Sequence, residues 1–341
     1  MAISAKELAQ KLNLSPATVS MVLNNKPGIS EKTRHAVLEA AQTYGCSVSR
    51  KSDRVPNGII QFVIYKKHGT IVTDTPFFAQ MTEGIDAACK RRGYELQISY
   101  FYEQEDIGVQ IQTLSEKDCQ GILILGTEIL PGFFEPFTRL PFPLVVLDTY
   151  FEELSCDAVL INNVQGAYLA TNYMIDCGFD RIGYLHSSFS IGNFAERADG
   201  YYKALRHRGF STDHPYVHRL TPSMEGAFQD MAHFLQTGSP VAPAYFADND
   251  LIAAGAIRAF TEAGYRIPED ISVVGFDDMP ICEFLKPGLT TMAVPKKRLG
   301  ELAADRLIDK IERKTNAVIK IEVSTRLQER GSVRKRTQPT G

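Results

Sequence analysis

The apolar residues of the chain change their spacing once, near residue 58. Before that point they recur at helical intervals. Ala5, Leu8, Ala9 and Leu12 share one face of a helix that starts at Ser4, and Ser4 and Glu7 have the spacing of a capping box. Asn13 and Leu14 make a turn. Ser15 then caps a second helix with Pro16 at its first position, where a missing N–H costs nothing. Val19, Val22 and Leu23 point inward, and residues 24–28 end the helix. A third helix follows Ser30, with Ala36, Val37, Ala40 and Ala41 as its packing stripe. From Ile59 onward, short apolar runs alternate with helical stretches. Strands are predicted at 59–65, 95–100, 121–125, 144–147, 158–161, 181–185, 217–220, 244–247 and 271–276. Helices are predicted at 78–92, 106–116, 164–177, 198–208, 224–237, 250–263 and 297–314. This alternation implies parallel sheets covered by helices, with strands enough for two sheets. Residues 162–166 read as a helix start at the passage between them.

Composition supports a large globular body. The 341 residues are 44% apolar, which suggests about two or three domains. The net charge of -3 is unevenly spread. Residues 1–55 carry Lys6, Lys11, Lys26, Lys32, Arg34, Arg50, Lys51 and Arg54 against Glu7, Glu31, Glu39 and Asp53, so the remainder is acidic. A small basic module on an acidic body fits a phosphate-binding head, and equally a basic solvated surface. Cys46, Cys89, Cys119, Cys156, Cys177 and Cys282 have no metal-ligand spacing and read as buried thiols. The opening MAISAKELAQKL lacks a long apolar core, and no apolar run approaches the ~20 residues of a membrane span. A cytoplasmic protein without membrane contact is expected.

No glycine-rich phosphate loop, nucleophile elbow, H-E-x-x-H or cysteine–histidine cluster occurs, so neither a metal nor a cofactor is implied and an enzyme is not expected. Two other features carry chemistry. The first two helices, joined by a tight turn, have the form of a helix-turn-helix; an ordinary small bundle is the alternative. Its second helix turns Ala17, Ser20, Met21 and Asn24 outward, and its N-terminal amides suit a phosphate. In the body, ligands of parallel sheets sit beyond the carboxyl ends of strands. Asp148, then Asp248, Asn249 and Asp250, then Asp277 and Asp278 follow predicted strands there, and Thr75, Pro76, Phe77 and Phe78 follow the first. Carboxylates, amides and an aromatic ring are what a polyol or sugar needs. Any single acidic residue among them also suits a helix cap, Asp250 in particular.

The stretch LSPATVSMVLNNKPGISEKTRHAVLEAA closely resembles the DNA-binding head of the lactose and galactose repressor family. The resemblance rests on Thr18, Val19 and Ser20, on Asn24, and on Ile29, Ser30, Thr33 and Arg34. It implies that Pro16, Ala17 and Met21 read base edges. Met21 stands where the family often has an arginine, so only apolar contacts, such as with a thymine methyl, are open to it. The family's hinge pattern with a leucine wedge is missing from TYGCSVSRKSDRVPNG, although Arg50, Lys51 and Arg54 can reach phosphate or the minor groove. The likeness continues through TPFFAQMTEGID, GFDRIGYLH, ERADGYYKAL, ADNDLIAAGAIRAFTEAGYRIPEDISVVGFDD and PGLTTMAVPKKRLGELAADRL. It implies an N-terminal all-α head followed by an α/β periplasmic-binding-protein-like domain of two parallel-sheet lobes, with three crossovers. It further implies that Arg197, Asp277, Asp148, Asn249, Phe77 and Phe78 contact an effector. Thr221, where the family often has an aromatic lid, is the seventh residue expected at the effector.

The expected organisation is a head at 1–48, an atypical linker at 49–58, a two-lobed effector and dimerisation domain at 59–330 and a polar tail at 331–341. The DNA contacts expected are Ser4, Ser15, Pro16, Ala17, Thr18, Ser20, Met21, Asn24, Ser30, Thr33, Arg50 and Arg54. The function expected is a homodimeric regulator, a repressor before an activator, that binds a double-stranded operator with two half-sites. A small molecule between the lobes, a sugar by preference, controls it. A phosphosugar, nucleobase or amino acid is the alternative effector; a sugar-binding protein without regulation is a weaker one.

Overall fold

The computed structural model describes residues 3–23, 28–44, 57–67, 72, 76–213 and 215–335, and its contacts divide the chain at Asn57–Gly58 into two compact units. The predicted contacts Asn24, Arg50 and Arg54, most of the predicted linker, Asp74, Thr75 and the end of the tail lie outside the described residues.

The first unit holds α1 (Ala5–Lys11), α2 (Pro16–Leu23) and α3 (Glu31–Thr43). Ser4 caps α1 in a full capping box with Glu7. Asn13 takes the left-handed conformation (φ 53°) that lets the chain reverse, one that asparagine tolerates better than most residues. Leu8, Ala9, Val19, Val22, Leu23, Val37 and Ala41 form the core. Ala5 and Ala36, expected to pack inward, are exposed.

The second unit has two six-stranded sheets. The first contains β1 (Ile59–Lys66), β2 (Glu95–Tyr102), β3 (Gly121–Leu125), β4 (Leu144–Leu147), β5 (Asp157–Ile161) and β11 (Lys320–Val323), in the order β11-β5-β4-β3-β1-β2. The second contains β6 (Ile182–Ser187), β7 (Val217–Leu220), β8 (Ala244–Ala247), β9 (Ser272–Asp277), β10 (Thr290–Ala293) and β12 (Arg326–Gln328), in the order β12-β10-β9-β8-β6-β7. All pairings are parallel except β10 with β12. Central strands such as GILIL are buried along their whole length because helices cover both faces.

The first sheet is flanked by α4 (Pro76–Arg92), α5 (Ile107–Ser115) and α12 (Lys296–Arg313), with a short α6 (Pro131–Phe134) and a 3-10 turn at Glu135–Arg139. The second carries α7 (Asn163–Asp176), α8 (Gly192–His207), α9 (Met224–Gln236), α10 (Asp250–Glu262) and a short α11 (Ile281–Phe284). The chain passes between the lobes three times: after β5, after β10 and after β11. At the first passage Asn162 caps α7 by accepting the Gln165 amide.

The backbones of α4 and α12 touch. A Cβ on Gly84 would overlap the Lys297 carbonyl, and one on Gly300 would overlap that of Met81. Farther along α12, buried Asp157 of β5 accepts from Arg306, from Lys310 and from the Ile319 amide. This network seats β11 beside β5.

Three differences from the sequence reading matter. First, α8 begins at Gly192, six residues before the predicted start at 198. No side chain caps it, so the usual start signal is missing. Second, β10, β11 and β12 were not predicted; they are three or four residues long and two of them are half polar. Third, the tail does not begin at 331. Ser332 is buried, donates to the Val273 carbonyl at 2.6 Å and accepts the Thr290 amide at 2.8 Å, and Arg334 bonds to Ser272. Those residues belong to the second lobe.

Candidate functional site

In the head, α2 presents a continuous outer face. Ser15, Pro16, Ala17 and Ser20 are exposed and Met21 is half-buried, while Val19, Val22 and Leu23 face the core. The Ser15 hydroxyl accepts the Thr18 amide at 3.0 Å and lies 2.8 Å from the Thr18 hydroxyl. Ser30 and Thr33 repeat this pairing at the start of α3. Short polar side chains at two helix starts leave the backbone approachable by an anion. Ser4 is committed to its own capping box.

In the body, the carboxyl ends of both sheets and the starts of their helices enclose a narrow cavity of about 50 Å³. Phe77, Phe78, Thr127, Asp148 and Ile161 line it from the first lobe. Ile191, Asn193, Phe194, Arg197, Pro222, Asn249, Asp250, Leu251, Asp277 and Met279 line it from the second. Six of the seven residues expected at an effector are thus brought together. Thr221 is not: it packs where a Cβ on Gly226 would stand, its amide donates to Asp230, and Pro222 faces the cavity instead. Thr127, Asn193 and Phe194 were missed. Thr127 follows a strand, a signal available in the sequence; Asn193 and Phe194 were hidden by the late helix start.

Arg197 is buried in the second turn of α8 rather than on a surface. Its Nε donates to Asn163 at 2.9 Å, a terminal nitrogen donates to the Asp248 carbonyl, and the other reaches the Asp277 carboxylate at 3.2 Å. The guanidinium lies 3.8 Å over the Phe276 ring. Asn163 also donates to Asn193 and Glu196, so the first crossover is wired to the cavity wall. Asp248 is fully buried and accepts from Tyr184, His186 and the Ser187 amide.

Asn249, not Asp250, is the helix cap: its side chain accepts the Ile252 amide at 2.8 Å. Asp250 accepts the Met279 amide at 2.7 Å and the Thr291 hydroxyl at 2.6 Å. Burial pushes its carboxyl up to about 7, helped by nearby Asp277 and opposed by those two donors. Burial likewise raises Asp277 against the pull of Arg197 and Lys296.

Asp148 faces these groups from the other lobe. It sits in a left-handed conformation (φ 67°) beyond β4 and is buried. Thr127 donates to its Oδ2 at 2.6 Å, whereas its Oδ1 has no hydrogen-bond partner among the described residues. Desolvation raises its carboxyl to about 6, opposed by Thr127, by the charge of Arg197 and by the nearby Asn193 side chain. Among the described residues, the cavity therefore carries three acidic side chains against one guanidinium already in use. Its described lining includes no serine or cysteine. Among the described residues, no three His, Cys, Asp or Glu side chains group as metal ligands, and no helix is long and apolar enough to cross a membrane.

Comparison with known proteins follows this division. Residues 4–46 match the model of bacterial regulatory proteins of the lacI family, and residues 171–333 match a periplasmic binding protein-like domain. The chain is 30% identical to the HTH-type transcriptional repressor PurR of Mannheimia succiniciproducens, over 97% of this chain and 98% of that protein. It is 31% identical to the ribose operon repressor of Haemophilus influenzae, over 90% and 91%. A solved complex of the transcriptional regulator CelR with cellobiose superimposes with a TM-score of 0.72 at 25% identity, covering 96% of this chain and 99% of the other.

Proposed function

This chain belongs to the lacI family of bacterial regulatory proteins, DNA-binding transcriptional regulators rather than enzymes, and from that premise we propose that it is a repressor controlled by a neutral sugar held between its lobes. The observation that carries the choice of ligand is Asp148. A buried carboxylate oxygen without a partner is costly, and a donor that satisfies it is held strongly. A sugar hydroxyl is such a donor. Phe77, Phe78 and Phe194 offer apolar cover, and Asp277, Arg197 and Asn193 lie opposite. A phosphorylated ligand is the poorer fit, because among the described lining residues three acids face one guanidinium, and both that group and the Lys296 ammonium beside Phe77 are already engaged. The ribose operon repressor and the cellobiose complex among the similar proteins support a sugar, whereas the equally similar PurR repressors are not named for one.

Operator binding rests on α2, with Pro16, Ala17, Thr18, Ser20 and Met21 against base edges and backbone. One such helix covers a short site, so a two-fold homodimer on two half-sites is the working form. The edge strand β2, with Tyr100 51% exposed, and α11, with Phe284 78% exposed, offer apolar surface for the second copy. The ligand acts by binding one lobe arrangement more tightly, which changes affinity for DNA.

The test is titration of the full chain on its own upstream DNA, with D-ribose, cellobiose and ribose 5-phosphate as separate additions. Retention of that DNA over a random duplex, with a shift of at least about fivefold by a neutral sugar, is expected. A response to the phosphate ester alone overturns the ligand assignment. Equal binding of every duplex overturns sequence-specific recognition.

A further inference from the structure

Asp277 and Asp278, adjacent at the end of β9, have φ angles of 109° and 57°. Residues with a Cβ rarely enter this region, and two in succession persist only where the surroundings over-determine them. Four side chains do so here. Arg197 holds the Asp277 carboxylate, Arg330 holds that of Asp278 at 2.7 Å, and Asp250 accepts the Met279 amide. Lys296 donates to the carbonyl oxygens of both aspartates, at 3.0 Å for Asp278.

The first three belong to the second lobe. Lys296 does not. It is the first residue of α12, which packs on α4, β3, β4 and β5 of the first lobe. The backbone contact at Gly84 and Gly300 leaves α12 no room to slide against α4, the helix that carries Phe77. The Lys296 ammonium lies 5.6 Å from the centre of the Phe77 ring. One charged group thus touches a cleft aromatic of one lobe and the backbone of a cleft carboxylate of the other.

Lys296 is poorly placed for helix stability. The first turn of α12 has Lys296, Lys297 and Arg298 and no acidic residue, against the helix dipole. Lys296 is also buried, where an ammonium needs acceptors. An apolar residue would serve packing there without these penalties. Among the described residues, the two carbonyls, the Phe77 ring and the nearby Asp277 carboxylate account for the charge.

We propose that Lys296 is a positioning residue of the ligand cleft, holding the left-handed turn that presents Asp277 and tying that turn to Phe77 across the lobes. The proposal rests on the reading of the cleft as a ligand site. A ligand that engages Phe77 and Asp277 together would then favour one lobe angle through Lys296, and any change of lobe angle would move Asp277.

The test uses full-length K296M, which keeps the apolar stem, and K296R, which keeps donors. In ligand-free protein, amides of residues 276–279 should exchange hydrogen at least about tenfold faster in K296M, with β3 unchanged and K296R closer to wild type. Exchange within about twofold of wild type overturns the proposal, as does uniform acceleration across both lobes, the mark of a merely structural residue. If K296M does not fold, Lys296→Gln takes its place. D-ribose and cellobiose are the binding probes. A sugar that binds wild type should bind K296M at least about tenfold more weakly, and equal binding overturns the proposal. If neither sugar binds wild type, the ligand assignment fails, while the ligand-free exchange still decides the hold of Lys296 on the turn.

Discussion

Arg197 donates to the Asp277 carboxylate at 3.2 Å across 80 residues of chain, with little solvent reaching either side chain. Removing one member of a buried pair strands the other. Arg197→Met is expected to destabilise the two-lobed unit by about 3–5 kcal/mol in urea unfolding. R197M/D277N, which removes both charges, should lose less than R197M alone. Equal losses would show that the two groups are not coupled.

Two cleft carboxyls set a pH dependence. Burial raises Asp148 from 3.8 to about 6 and Asp250 from 3.8 to about 7. At intermediate pH such an acid binds more protons folded than unfolded. The stability it contributes is complete below 3.8 and is lost as pH rises through the folded value. Relative to wild type, Asp148→Asn should therefore gain stability between pH 3.8 and about 6, by something on the order of 2–3 kcal/mol. Thermal unfolding of the two proteins across that range would detect it. A constant difference would mean that Asp148 is not desolvated.

The same carboxyl should tune ligand binding. A hydroxyl donates more strongly to an ionised carboxylate, so affinity for a neutral sugar is expected to rise with pH through about 6. D148N should flatten that rise. Calorimetric titration at pH values on either side of it provides the check.

Gly84 lies where α4 meets the Lys297 carbonyl. Gly84→Ala must push the two helices apart and should cost about 1–3 kcal/mol in urea unfolding. Gly132, beside which a Cβ meets nothing within 4 Å, is the control, and Gly132→Ala should be close to neutral.

On the exposed face of α2, Met21 offers no hydrogen-bond donor to a base. Met21→Arg is expected to shift preference toward guanine at one position of each half-site, by about 1–3 kcal/mol per contact. Selection from a randomised duplex pool would reveal it. An unchanged consensus would place Met21 away from the bases.

Much of this was legible in the sequence, and the reason is local. Helix caps, the Ser4–Glu7 box and the alternation of apolar runs depend on neighbours a few residues apart, so α1 to α3 and the central strands could be read directly. The start of α8 could not, because Ile191 supplies no cap. Cleft residues at strand ends, Asp148, Asn249 and Asp277, were legible for the same reason; their partners were not.

The chain by itself determined the helix-turn-helix and the two-sheet body, which follow from spacing and residue type, while the family and six residues of the cavity wall came from its resemblance to known repressors. Only the tertiary structure decided that Asp250 is a buried anchor rather than a cap, that Thr221 faces α9, that Ser332 is interior and that Lys296 spans the lobes. These depend on which distant carbonyls and amides lack a partner once the backbone is folded, and such a demand has no period along the sequence.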